Sequence, residues 1–295
     1  MKLKSTTRLK DTVYIVGAGF SFDLGYPLTS GILVNVWSRL EKSLRNRLQK
    51  VIHFHHPNFD PKKASSYPDI EQLLTEIAVN EEMFEASRRT EGNFKKGELS
   101  EIRQALLIEI ADWFHSLYRQ ASDTPWLQTF GEQIAADGAA VISFNWDLLI
   151  DHLLFAGNLT RGSYGLGLLL ANAPILLKPH GSLNWYEGNE IDKVAVDKRV
   201  TIFPAQGDHR QVQAFTYPRG IKSRIGNRYT PLIIPPTFLK DFKKPIFKSV
   251  WQRCTDLLST AKDIYVLGYS LPLADLQAQY ILRCGFHNQI EGRLI

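Results

Sequence analysis

Apolar residues along this chain follow two rhythms. Short unbroken runs recur at residues 13–16, 139–143, 175–178 and 264–267. Each is too short for a helix and apolar at nearly every position, which predicts strands buried on both faces of a parallel sheet. Residues 200–203 and 232–234 are further strand candidates. Elsewhere the spacing is three and four. Ile70, Leu73, Leu74, Ile77 and Ala78 predict an amphipathic helix that Asp69 can cap. Ile102, Ala105, Leu106, Ile110, Trp113, Phe114 and Leu117 predict a second, longer one. Helical faces also fall at 148–153, from Phe242 to Leu258 as Phe242, Ile246, Phe247, Val250, Trp251, Cys254 and Leu258, and at 274–286. Polar stretches at 53–68 and 88–97 predict loops.

Strands alternating with helices predict an α/β fold, a Rossmann-like parallel sheet with helices on both faces. The mostly helical stretch after the first strand, residues 33–134, is expected to be an insertion that packs over the sheet. All 295 residues are read as one domain. A further strand is expected after the last helix, and Leu294-Ile295 would be its first residues. Ile290-Glu291-Gly292-Arg293 resembles a protease-linker scar, so the reading is of a chain cut short, with chance as the alternative.

In parallel sheets ligands sit outside the carboxyl ends of the strands. Four polar clusters follow candidate strands at that end: Gly17-Ala18-Gly19-Phe20-Ser21, Asn145-Trp146-Asp147, His180-Gly181-Ser182 and Gly268-Tyr269-Ser270. Their convergence at one rim is the main sign of a site. The glycine turn offers backbone N–H groups at a helix start, a geometry that binds pyrophosphate. Phe22 stands where a dehydrogenase fingerprint has its third glycine, and no acidic residue ends a second strand about 20 residues on, which argues against hydride transfer. Asn145 and Asp147 have a plain reading as turn and cap and a functional one as directed hydrogen-bonders for a ribose or amide. His180 can take a proton near neutral pH.

Composition narrows the classes. The formal net charge of +5 is mildly basic; it favours anionic ligands such as nucleotides and leaves direct nucleic-acid binding open. The basic residues between 193 and 253 read first as a solvated face. The two cysteines, Cys254 and Cys284, form no CxxC pair, so neither a disulfide framework nor a cysteine zinc site is expected, and no metal is assigned. Both are expected on helices. His53, His55 and His56 read as a solvated loop. The first ten residues lack an apolar signal core, and the apolar stretch at 166–177 is too short to span a bilayer, so a cytoplasmic protein is the expectation.

Taken in order, the four clusters resemble the sirtuin superfamily. Gly17 to Ser21 with Gly25-Tyr26-Pro27 is similar to its first NAD motif, Ser143 to Asp147 to its Asn-x-Asp motif, and His180-Gly181-Ser182 to its histidine motif. Gly268-Tyr269-Ser270-Leu271-Pro272 with Asp275 resembles the late ribose-binding motif of the sirtuin-like branch found in bacterial anti-phage proteins. The zinc ribbon of deacylase sirtuins has no counterpart here. The resemblance implies an NAD glycohydrolase that cleaves NAD⁺ to nicotinamide and ADP-ribose as a triggered defence effector, with NAD as substrate and no zinc. It implies Asn145 and His180 as catalytic, and Gly17, Ala18, Gly19, Ser21, Asp147, Gly268 and Ser270 as NAD-binding. Relatives imply a homo-oligomer or a complex with an ATPase, an Argonaute-like protein or a sensor. A nucleotide sensor without catalysis and an NAD-dependent deacylase are the alternatives.

Overall fold

The computed structural model describes residues 10–87, 94, 97–121, 124–155, 162–165, 173–188, 200–203, 211–215, 229–234, 245–272 and 275–287. In chain order these form β1 (Thr12–Val16), α1 (Ala18–Phe22), α2 (Thr29–Val36), α3 (Lys42–His55), α4 (Ile70–Ser87), α5 (Glu98–Ala121) and α6 (Pro125–Ala136). Then come β2 (Ala140–Ser143), α7 (Leu149–Phe155), β3 (Ile175–Leu177), β4 (Gly181–Gly188), β5 (Val200–Phe203), β6 (Gln211–Phe215) and β7 (Tyr229–Ile233). The last are α8 (Pro245–Thr260), β8 (Asp263–Leu267) and α9 (Leu276–His287).

The protein is α/β, and four of the expected runs form one parallel sheet in the order β3-β2-β1-β8. Three of them are buried as expected; β8 is not, because it is the outer strand of this sheet among the described residues, and Tyr265 and Val266 are exposed. Register fixes the site. Val16 pairs with both Ser143 and Leu267, and Ile142 pairs with Leu177, so the strands end level and the polar clusters leave from one rim. The chain moves from β1 outward to β2 and β3, then returns to place β8 on the other side of β1. That reversal is where open α/β sheets leave a crevice.

Two candidate strands sit elsewhere than expected. Residues 200–203 and 232–234 contribute to a second sheet, antiparallel, in the order β5-β6-β4-β7. The histidine cluster therefore leads straight into a strand: Gly181 begins β4. Ser182-Leu183-Asn184-Trp185 alternates polar and apolar as a strand does, and all four residues are buried.

Two apolar cores result. One lies around the parallel sheet, with Val13, Ile15, Val141 and Leu176 against Phe247, Val250 and Cys254 of α8. The other lies among the helices between β1 and β2, and it follows the predicted spacing: Ile70, Leu73, Leu74 and Ile77 of α4 meet Ile102, Leu106 and Ile110 of α5. Asp69 does cap α4, its Oδ1 accepting from the Glu71 amide at 2.8 Å. Trp146, Leu149, Leu183 and Ile233 also belong to this second core. The turns at the sheet rim are thereby bolted to the helices, which close over the strand ends.

The expected histidine loop is partly helical. His53 and His55 end α3, and the three rings are engaged separately: His53 with Gln49, His55 with Asn80, and His56 with the Glu76 carboxylate at 3.0 Å. Cys254 is buried on α8 and Cys284 half-buried on α9. Among the described residues, no helix is long and apolar enough to cross a membrane. The basic residues expected at 193–253 lie largely outside the described residues, as do the predicted scar at 290–293, Leu294 and Ile295.

Candidate active site

At the rim of the parallel sheet lies a cavity of about 440 Å³, within the range of small-molecule sites. Ala18, Gly19, Ser21, Asn145, Asp147, His180, Gly268 and Ser270 all line it. Tyr26 before α2, Ile32 of α2, Glu71 of α4 and Phe114 of α5 also line it. Gly17 is the expected site residue that does not line the cavity; it stands behind the wall, buried.

The glycine turn and the Gly268 turn are built against each other. A Cβ on Gly17 would lie 2.5 Å from the Tyr269 Cα, and one on Gly268 would lie 2.1 Å from the Phe20 amide nitrogen. Gly17 N donates to Leu267 O at 3.0 Å, and Gly19 N donates to Gly268 O at 2.8 Å. Two amides expected to hold a pyrophosphate are thus engaged with β8 and the turn after it. The glycines serve here to let two backbones touch. Gly268 also has φ +64°, a left-handed value that costs an L side chain about 1–3 kcal/mol. Gly268→Ala is expected to lose more than that range alone, because the clash is with backbone. Urea unfolding midpoints of the two proteins measure it; an unchanged midpoint would show that the turns do not need this contact.

Asn145, Ser21 and Asp147 form one directed chain. Asn145 Nδ2 donates to Gly17 O at 2.9 Å and to Ser21 Oγ at 3.0 Å. Ser21 Oγ donates in turn to Asp147 Oδ2 at 2.8 Å. Both hydrogens of the Asn145 amide are therefore occupied, and its carbonyl Oδ1 is the atom left to meet a ligand. The Asp147 carboxylate also accepts from Leu149 N at 3.1 Å, so it caps α7 as well as facing the cavity. Burial pushes the Asp147 carboxyl up from its ordinary range, against the opposing pull of Lys178, Ser21 and the Leu149 amide.

That direction has a consequence for stability. Folded Asp147 holds its proton at higher pH than the unfolded residue, so stability falls as pH rises from the unfolded to the folded pKa. Asp147→Asn keeps an oxygen for the Leu149 amide and removes the buried charge. Its unfolding midpoint is expected to exceed the wild-type value at pH 8, with the gap narrowing as pH is lowered through that interval. A gap that widens on acidification contradicts this assignment.

His180 is held from several sides. Its backbone carbonyl accepts from Ile234 N at 2.7 Å, and Gly181 N donates back to Lys178 O at 2.9 Å. Trp251 Nε1 donates to the carbonyl of Pro179 at 3.0 Å. The ring meets Phe144 edge-on, with centroids 5.2 Å apart. Phe144 is itself stacked on Tyr269 at 4.3 Å. Beside the ring lies Asp275, also on the cavity wall, whose Oδ2 is 3.1 Å from His180 Nε2.

Beneath these residues runs a buried polar network absent from the sequence reading. Lys178, fully enclosed, reaches Asp151 Oδ2 at 3.0 Å and donates to the carbonyl oxygens of Trp146 and Asp147. Tyr164 OH donates to Asp151 Oδ1, and Asn184 Nδ2 donates to Tyr164 OH at 2.9 Å. Lys178 thus ties the Asn145–Asp147 turn to the strand that leads into His180. The charged side chains lining the cavity are Glu71, Asp147 and Asp275, with His180; no lysine or arginine lines it among the described residues. Glu71 carried little sequence signal because it lies far in sequence from the rim clusters, and Lys178 because a lysine at a strand end does not show that it will be enclosed; Asp275 was named only with the late motif.

Comparison with known proteins gives no family. No family model matches the chain, and no curated protein matches it.

Proposed function

We propose that the protein is a sirtuin-like NAD glycohydrolase that breaks the bond between nicotinamide and ribose. The observation that carries this reading is the meeting of Asn145, Asp147 and His180, from the ends of two different strands, on one cavity. The resemblance in motif order supports it.

In the proposed reaction the C1′–N bond breaks and its electron pair goes to the pyridinium nitrogen, so nicotinamide leaves neutral. The ribose passes through an oxocarbenium-like transition state. Water adds at C1′ and its proton passes to His180, directly or through a ribose hydroxyl. Asn145 Oδ1 accepts from that water or hydroxyl, and Asp147 supports the nicotinamide end. Ala18, Ser21 and Ser270 are the contacts proposed for the rest of the dinucleotide, with Gly17, Gly19 and Gly268 shaping the wall. On this reading residues 33–134 are the helical insertion of the defence-type branch, and they close the site.

The test is incubation of the purified protein with NAD⁺, with and without phage-infected lysate, following nicotinamide and ADP-ribose. Equimolar release of both supports the proposal. Tight ADP-ribose binding by calorimetry with no nicotinamide under either condition favours the sensor reading instead. NAD⁺-dependent loss of acetyl from an acetyl-lysine peptide, with nicotinamide released and the acetyl group transferred to ADP-ribose, favours the deacylase.

A further inference from the structure

Asp275 is a buried acid that the reaction above leaves without a task. Its side chain is 1% exposed, and it stands at the start of α9, where Oδ1 accepts from Ala278 N at 3.3 Å. The motif resemblance would send it to a ribose. The geometry points elsewhere: we propose that Asp275 is a positioning residue that fixes His180 as the Nε2–H tautomer, so that Nδ1 is the ring atom that takes the proton. This rests on His180 being the base in the reading above and names the group that orients it.

Three observations carry it. First, Nε2 lies 3.1 Å from Asp275 Oδ2, and Nε2 is enclosed while lying off the line of a completed hydrogen bond. A small ring rotation completes the bond, as is common when catalytic contacts tighten on ligand binding. A carboxylate oxygen accepts only, so a bare Nε2 lone pair facing it is repelled and the neutral ring must carry its hydrogen there. Second, Tyr269 OH donates to the same Oδ2 at 3.0 Å, which pins the carboxylate with a neutral partner. Burial, and then Asp275, push the Tyr269 hydroxyl up from its ordinary range, so it stays protonated. Third, with Nε2 enclosed and the ring on the cavity wall, Nδ1 is the nitrogen left for a ligand.

The groups around His180 agree with this. Asp147 faces the same cavity from the turn after β2, Glu71 from α4, and Phe144 contributes an apolar edge. Lys178, two residues earlier, is directed at Asp151. Asp275 is thus the acid within contact distance of the ring. When Nδ1 accepts a proton from water or a ribose hydroxyl, the Asp275 carboxylate faces the imidazolium that forms.

The experiment uses ¹⁵N-histidine-labelled full chain. The His180 ring signals are assigned by their loss in His180→Gln and read without NAD. The expected wild-type pattern is the Nε2–H tautomer. Asp275→Asn keeps an oxygen for the Ala278 amide and removes the charge. It should raise the Nδ1–H population and lower kcat for nicotinamide release by about 10²–10⁴-fold, with KM little changed. Tyr269→Phe removes only the competing donor and should keep the Nε2–H form; it carries the test if Asp275→Asn fails to fold. An Nδ1–H ring in the wild type, or a ring and kcat indifferent to Asp275→Asn, overturns the assignment. An Nε2–H ring that responds to Asp275→Asn in a protein releasing no nicotinamide upholds the tautomer and sinks the glycohydrolase reading.

Discussion

His180→Ala and Asn145→Ala are each expected to release nicotinamide from NAD⁺ about 10²–10⁴-fold more slowly than the wild type. The two losses have different origins. His180→Ala removes the proposed proton acceptor and leaves the backbone contact of residue 180 to Ile234, which does not involve the ring. Asn145→Ala removes Oδ1 and also frees Ser21 Oγ and Gly17 O from their shared donor. Its effect therefore includes some loosening of the Asp147 carboxylate, which Ser21 holds. If both act on one sugar in one transition state, the double variant should be hardly slower than the worse single one. Nicotinamide release by chromatography, with urea midpoints as a check on folding, decides it. Wild-type turnover in both folded variants rejects the site.

Lys178→Met should have the largest effect on stability. The Lys178 ammonium is fully enclosed and Asp151 nearly so, with 3.0 Å between Nζ and Oδ2. Removing one partner of a buried pair leaves an uncompensated charge, which costs about 3–5 kcal/mol. Tyr164 OH still donates to Asp151 and softens the loss, but a neutral donor does not replace a counter-ion. Lys178→Met with Asp151→Asn removes both charges and should recover most of the stability. Denaturant unfolding of the three proteins measures this; a double variant no better than the single one means the carboxylate is not the source of the cost. The single variant should also slow nicotinamide release. Lys178 donates to the carbonyl oxygens of Trp146 and Asp147 and stands two residues before His180, so losing it loosens both halves of the site.

Some of this was written in the chain. Runs apolar at nearly every position can be buried only between two covered faces, and residues 13–16, 139–143 and 175–178 do form the buried part of the parallel sheet, whereas 264–267 joins it as an outer strand with Tyr265 and Val266 exposed. The three-four spacing of Ile70 to Ile77 placed a helix and its buried face, and Asp69 its cap. The positions after those strands identified the rim residues, because strands aligned in one direction deliver their next residues to one edge. Local pattern carries such information because a helix or strand imposes its own period on whatever it buries.

The tertiary structure decided what has no local period. Ser182-Leu183-Asn184-Trp185 alternates polar and apolar, but that short stretch cannot show which sheet it joins, because its antiparallel partners at 211–215 and 229–233 lie far along the chain. The tasks of the glycines at 17, 19 and 268 depend on two turns about 250 residues apart meeting backbone to backbone, so a glycine-rich motif could indicate a tight turn but not what it touches. Asp275 and Lys178 gained their meaning the same way. Resemblance placed Asp275 in a ribose-binding motif and the apolar run placed Lys178 at a strand end; the fold encloses each beside one particular partner, His180 and Asp151. The sequence determined which residues reach the rim; only packing between distant segments decided which atom each of them presents there.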